Sequence, residues 1–251
     1  MESYLPYILT GCIFYGFGLK WCYDYAKCWN LPRREDSDTD KSIGFIEKCE
    51  RFLSNQPIEG CLKLVATAVG LAGTLTGGLP DIGVVSPKVV HATIYLFFAF
   101  SGLVDVLHFY FPHNVSNGIV KMSLAQSFFV EGFLFIWASI ALNYMVNIIL
   151  AAIVWTTCFA IGLELIWPEA KLLRGTTTLL HGGWIAHMIR MHPLEVILTE
   201  KVALAFAWHI AAASGVALCI VTVTRSCGPR LPEEPPEVPI YDYCDVADQR
   251  I

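Results

Sequence analysis

The chain has 251 residues, 55% of them hydrophobic and 16% charged, and its mean hydropathy is +0.53. Soluble domains carry about 25% charged residues, so this composition excludes an ordinary soluble globule and points to a bilayer as the surrounding solvent. The net charge of −5, with no basic stripe interleaved with aromatics, excludes nucleic acid as a partner.

Seven stretches are long and apolar enough to span a bilayer as helices, at about 6–26, 57–78, 89–111, 119–140, 144–167, 170–190 and 201–224. They predict an all-α, seven-helix transmembrane domain over residues 1–225, with a polar loop at 28–56 ("RREDSDTDKS") and a disordered tail from 226 to 251. The first stretch has no basic region before it, contains Lys20 and lacks a small-residue cleavage pattern, so it reads as a retained helix. On the second, Gly70, Gly73 and Gly77 include a GxxxG pair, which favours close helix contact within the bundle.

Orientation follows from the flanks. Lys27, Arg33, Arg34, Lys41, Lys48, Arg51, Lys121, Lys171, Arg174, Arg225, Arg230 and Arg250 fall on one side, against Lys88, Arg190 and Lys201 on the other. The positive-inside rule then puts the N-terminus lumenal or extracellular and the C-terminus cytosolic. Asn114-Val115-Ser116 fits a glycosylation acceptor but lies on the cytosolic side in this topology. In the tail, Tyr243-Cys244-Asp245-Val246 fits a Tyr-x-x-apolar sorting signal, a pattern short enough to arise by chance. The nine cysteines form no CxxC or zinc-type spacing, and most fall within or on the cytosolic side of the membrane, which argues against disulfides.

Ionisable residues inside a membrane usually face the bundle interior. On the third stretch, His91, Tyr95, Ser101 and Asp105 share one broad face; on the fourth, Ser123, Ser127 and Glu131 repeat at i, i+4. Glu164 on the fifth, His181 and Trp184 on the sixth and His209 on the seventh are further inward candidates. Counting at 1.5 Å per residue places Glu131, His181 and His209 at a common depth of ~12–14 Å from the lumenal side. Asp105 lies ~21 Å along its helix from His91, too far for both to share one metal ion. The expectation is two polar layers, Glu131/His181/His209 in mid-membrane and Asp105 with Glu164 in the cytosolic half.

Each layer admits two readings. Two imidazoles and a carboxylate are a familiar donor set for catalytic zinc, which would make the middle layer a metal-dependent intramembrane hydrolase acting on a lipid-like substrate. The same residues equally serve as interhelical hydrogen bonds that hold a bundle together. Asp105 and Glu164 suit a proton- or ion-linked transporter, or Asp105 bonds hydroxyl and backbone groups of its neighbours. No catalytic constellation beyond these is legible, so enzymatic activity stays open.

"LPYILTGCIFYGFGLKW", "HATIYLFFAFSGLVDVL", "FVEGFLF", "GLELI" and "AWHIAA" together resemble the transmembrane protein 45 family, also called domain of unknown function 716, over about residues 5 to 224. The resemblance implies a seven-helix multi-pass protein of Golgi or other endomembranes with no defined reaction. Related members carry a His-x-His near the end of the fourth helix, where this chain has Ala138 and Ile140. A metal site built there in relatives is therefore not intact here. The first expectation is a role in membrane organisation or trafficking, in Golgi, endosomal-lysosomal or plasma membrane, with the lipid bilayer as partner and self-association admissible. The hydrolase and the transporter are the alternatives.

Overall fold

The computed structural model describes residues 5–28, 56–76, 86–137, 144–188 and 199–227. These form seven helices and no strand: α1 (Leu5–Cys28), α2 (Ile58–Leu75), α3 (Pro87–Tyr110), α4 (Asn117–Trp137), α5 (Tyr144–Glu164), α6 (Ala170–Met188) and α7 (Thr199–Cys227). All seven expected helices are present, with boundaries within a few residues. The loop at 29–55, Gly77, Ala138, Ile140 and the tail with Tyr243–Val246 lie outside the described residues.

Local chemistry sets several ends. Ser86 caps α3 by accepting from the Val89 amide at 3.4 Å, with Pro87 in the first turn, where its missing N–H leaves no donor unsatisfied. The α3–α4 turn is closed by a bond between His108 Nδ1 and the Val115 carbonyl at 2.6 Å. The short links at 111–116 and 165–169 force α3/α4 and α5/α6 to run antiparallel.

Five helices are long and apolar enough to cross a membrane: α2, α3, α4, most of α5 (Met145–Glu164) and most of α7 (Glu200–Ser226). Their outward faces carry Leu62, Val65 and Val69 on α2, Leu96 and Phe100 on α3, and Leu204, Trp208 and Leu218 on α7, all exposed. A protein surrounded by water does not display apolar surface of that extent. The features point to a multi-pass membrane protein.

α1 and α6 are more polar than these five helices. α1 carries Lys20, Asp24 and Lys27, and α6 carries Lys171, Arg174, three threonines and His181. The reason is position. α6 is flanked by α1, α5 and α7 and buries most of its length, including both basic side chains and His181. A helix shielded by protein does not need a lipid-compatible surface.

α1 and α6 form the most extensive helix pair. Their seam is glycine on both sides. A Cβ on Gly182 would stand 2.5 Å from both the Gly11 carbonyl oxygen and the Tyr15 amide nitrogen, and one on Gly18 would stand 2.6 Å from the Leu179 nitrogen. Gly175 meets Cys22 in the same way. Gly11 and Gly18, like Gly175 and Gly182, are seven apart, so each pair lies on one stripe. The close crossing expected from Gly70 and Gly73 takes a different form. Gly70 receives the ring of Tyr95 from α3, and Gly73 has no atom near its missing Cβ.

Candidate functional site: two buried polar layers

The first layer lies where α1, α3 and α5 finish and α2, α4 and α6 begin. Lys20 donates to Asp24 one turn on (2.7 Å) and to Glu59 on α2 (2.9 Å). The Trp21 indole also donates to Glu59, at 3.1 Å. Lys63, one turn beyond Glu59, lies 3.4 Å from it and donates to Asp105 on α3 at 2.6 Å. Glycine makes that last contact fit: a Cβ on Gly60 would meet Asp105 and the Gly102 carbonyl at 2.9 Å, and one on Gly102 would meet Lys63 at 3.0 Å. On the other side, Glu164 of α5 contacts Arg174 of α6 (2.8 Å) and Lys121 of α4 (3.5 Å). The Arg174 guanidinium lies over the Trp21 ring, 4.3 Å from its centroid, and so joins the two halves through a cation–π contact.

Asp105 and Glu164, placed in one layer by depth and open either to a shared proton or cation or to separate hydrogen bonds, each meet separate cations of the protein. The reason is visible in the chemistry: two carboxylates in a low-dielectric interior repel, and a lysine or arginine beside each removes the net charge. Among the described residues Asp105 bonds Lys63 and no neighbouring hydroxyl. Lys121, Lys171 and Arg174, counted above among the flanking cations, lie inside the helices, with Lys171 and Arg174 buried.

The second layer centres on Glu131 and His181, both buried, with His181 Nε2 3.3 Å from Glu131 Oε1. The contact is not aligned as a hydrogen bond. Glu131 Oε2 and both ring nitrogens of His181 have no hydrogen-bond partner among the described residues. Phe14 of α1 stacks on the imidazole with centroids 4.1 Å apart, and Phe128 lies 6.0 Å away.

His209, expected beside them, belongs to a different group. It packs on Gly183 and forms edge contacts with Trp184 (5.4 Å) and His187 (4.7 Å). At about 100° per residue, the α6 face carrying Gly183, Trp184 and His187 is turned roughly a third of a circle from His181. Equal depth therefore does not bring His209 to Glu131. Its Nδ1 bonds the Ala205 carbonyl one turn back, at 2.8 Å. Among the described residues no group of three or more His, Cys, Asp or Glu side chains is arranged to hold a metal ion.

The remaining candidates are placed as follows. Ser101 is fully buried with its hydroxyl unpartnered among the described residues, and Ser127 shares its hydroxyl proton between the Phe97 and Ser123 carbonyls, each at 2.9 Å. Trp184 is fully buried, its indole 3.4 Å from the Val146 carbonyl. Tyr95 lies against Gly70, and His91 is half-buried at the start of α3, within electrostatic reach of Glu131. Lys20, Trp21, Glu59, Lys63 and Arg174 escaped the sequence reading. Two signals could have found them: the i, i+4 pairs Lys20/Asp24 and Glu59/Lys63, which put opposite charges on one helix face. The chain matches no known protein-family model.

Proposed function

We propose that the chain is a seven-span membrane protein of the transmembrane protein 45 type that serves membrane organisation or trafficking in endomembranes, with its N-terminus lumenal and its C-terminus cytosolic. One observation carries the non-enzymatic reading. The ionisable side chains of the larger polar layer are engaged with one another across six helices, Asp24–Lys20–Glu59–Lys63–Asp105 and Lys121–Glu164–Arg174. Residues matched in this way hold helices together. A reactive centre keeps a nucleophile or open coordination position for its substrate. Seven spans follow if α1 and α6, shielded within the bundle, cross the membrane beside the five apolar helices.

The test is reconstitution. Full-length protein in liposomes of mixed phospholipid is expected to release no fatty acid or headgroup and to dissipate no imposed pH gradient. Lipid turnover abolished by Glu131→Gln would establish the hydrolase instead, and gradient-driven flux abolished by Asp105→Asn the transporter. Orientation is tested separately at Asn114, which is exposed in the α3–α4 turn. Its position on the cytosolic side predicts no glycosidase-sensitive mobility shift in cells. A shift that disappears in Asn114→Gln would invert the topology.

A further inference from the structure

α1 and α2 adjoin in sequence order yet touch little, and between them runs a groove of about 330 Å³ lined by Cys12, Ile13, Gly16, Phe17, Lys20, Ile58, Glu59 and Leu62. Its composition is graded along its length. On α1, Cys12, Gly16 and Lys20 are spaced i, i+4, i+8 and so form one column, ~12 Å long at 1.5 Å per residue. The column is apolar at Cys12, has no side chain at Gly16 and ends in an ammonium at Lys20. Gly16 forms part of the wall: a Cβ there would meet nothing within 4 Å. On α2, Ile58 and Leu62 are exposed and apolar, and Glu59 faces Lys20.

The polar end is a mixed-charge cluster. Lys20, Asp24 and Glu59 are all part-exposed there, with Lys20 between the two carboxylates and the buried Lys63 3.4 Å behind Glu59. An anionic headgroup would meet two carboxylates, and a bare hydroxyl would leave the ammonium without a new partner. A headgroup carrying its own anion and its own N–H donors complements both signs.

We infer that this groove is a binding site for one aminophospholipid, a lipid with a phosphate and a primary ammonium. The phosphate meets Lys20, which carries three donors and directs two to Asp24 and Glu59. The headgroup ammonium meets the carboxylates of Asp24 and Glu59. One acyl chain runs down the Gly16 column between Phe17 and Leu62. The lipid thereby completes the α1–α2 contact that the described side chains leave unfilled. The inference extends the proposed role in membrane organisation by naming a lipid, but its geometry does not depend on that role.

The experiment uses the purified full chain, stripped with detergent and transferred to nanodiscs of phosphatidylcholine doped with phosphatidylethanolamine, phosphatidylglycerol or cholesterol. Lipid retained on the protein is read by native mass spectrometry. The expected result is one phosphatidylethanolamine per chain, retained at least about tenfold over phosphatidylcholine, whose methylated nitrogen cannot donate. Gly16→Leu places its side chain in the groove from a position whose Cβ meets nothing within 4 Å, and should abolish retention without lowering the unfolding temperature. Lys20→Gln should abolish it as well. Equal retention of all lipids, preference for phosphatidylglycerol or cholesterol, or undiminished retention by Gly16→Leu would each overturn the assignment. None of these outcomes bears on lipid turnover or ion flux, so failure here and failure of the proposed role are distinguishable.

Discussion

Replacing Lys63 by methionine is expected to destabilise the protein by about 3 kcal/mol or more, the loss typical when one partner of a buried ion pair is removed. Lys63 is 6% exposed and donates to Asp105 at 2.6 Å. Methionine keeps the length and apolar stem of the side chain, so packing between Gly60 and Gly102 is preserved and the loss is electrostatic. Asp105 Oδ1 already lacks a hydrogen-bond partner among the described residues, and without Lys63 the whole carboxylate is stranded. Glu59 is less affected, because Lys20 and Trp21 still bond it.

That asymmetry makes the prediction specific. Asp105→Asn should cost about 1 kcal/mol, since Lys63 retains Glu59 as a counter-charge. The double variant Lys63→Met/Asp105→Asn should recover most of the loss seen in Lys63→Met. Thermal unfolding of purified protein in one detergent checks all three. Additive losses in the double would mean that the pair contributes no coupling across α2 and α3, and equal losses in the two single variants would remove the asymmetry argued from Glu59.

The second large effect lies in the α1–α6 seam. Gly182→Ala is expected to cost about 2–3 kcal/mol, near the upper part of the usual range for overpacking. The added methyl would lie 2.5 Å from main-chain atoms of Gly11 and Tyr15, and backbone cannot rotate away as a side chain can. The helices must part, and Arg174 shifts relative to Trp21 with them. Gly16→Ala is the internal control, because it adds the same methyl to α1 where nothing lies within 4 Å. Higher helix propensity should make it neutral or stabilising by up to about 1 kcal/mol. Equal effects of the two substitutions on the unfolding temperature would sink the close-contact account.

Much of the fold was legible because its causes are local. Length and hydropathy suffice for seven helices, and the spacing of Ser123, Ser127 and Glu131 is enough to put them on one buried face. The cation-rich flanks mark one end of the bundle, where Arg174 and Lys171 are buried helix residues. Depth counting along helices placed Glu131 and His181 at one level, where they meet.

What depth counting cannot supply is azimuth. His209 has the same depth, yet lies beside Trp184 and His187, because the face a helix presents to each neighbour depends on which helices surround it. The pairing of charges has the same origin. Whether Asp105 meets Glu164 or Lys63 is decided by the closeness of α2 to α3, which Gly60 and Gly102 permit. The sequence by itself determined the helices, their lengths and the faces that turn inward, because hydrophobic burial follows a period of 3.6 residues. Only the tertiary structure decided which inward residues touch, because that depends on helix order, rotation and glycine-to-glycine approach, none of which leaves a periodic trace.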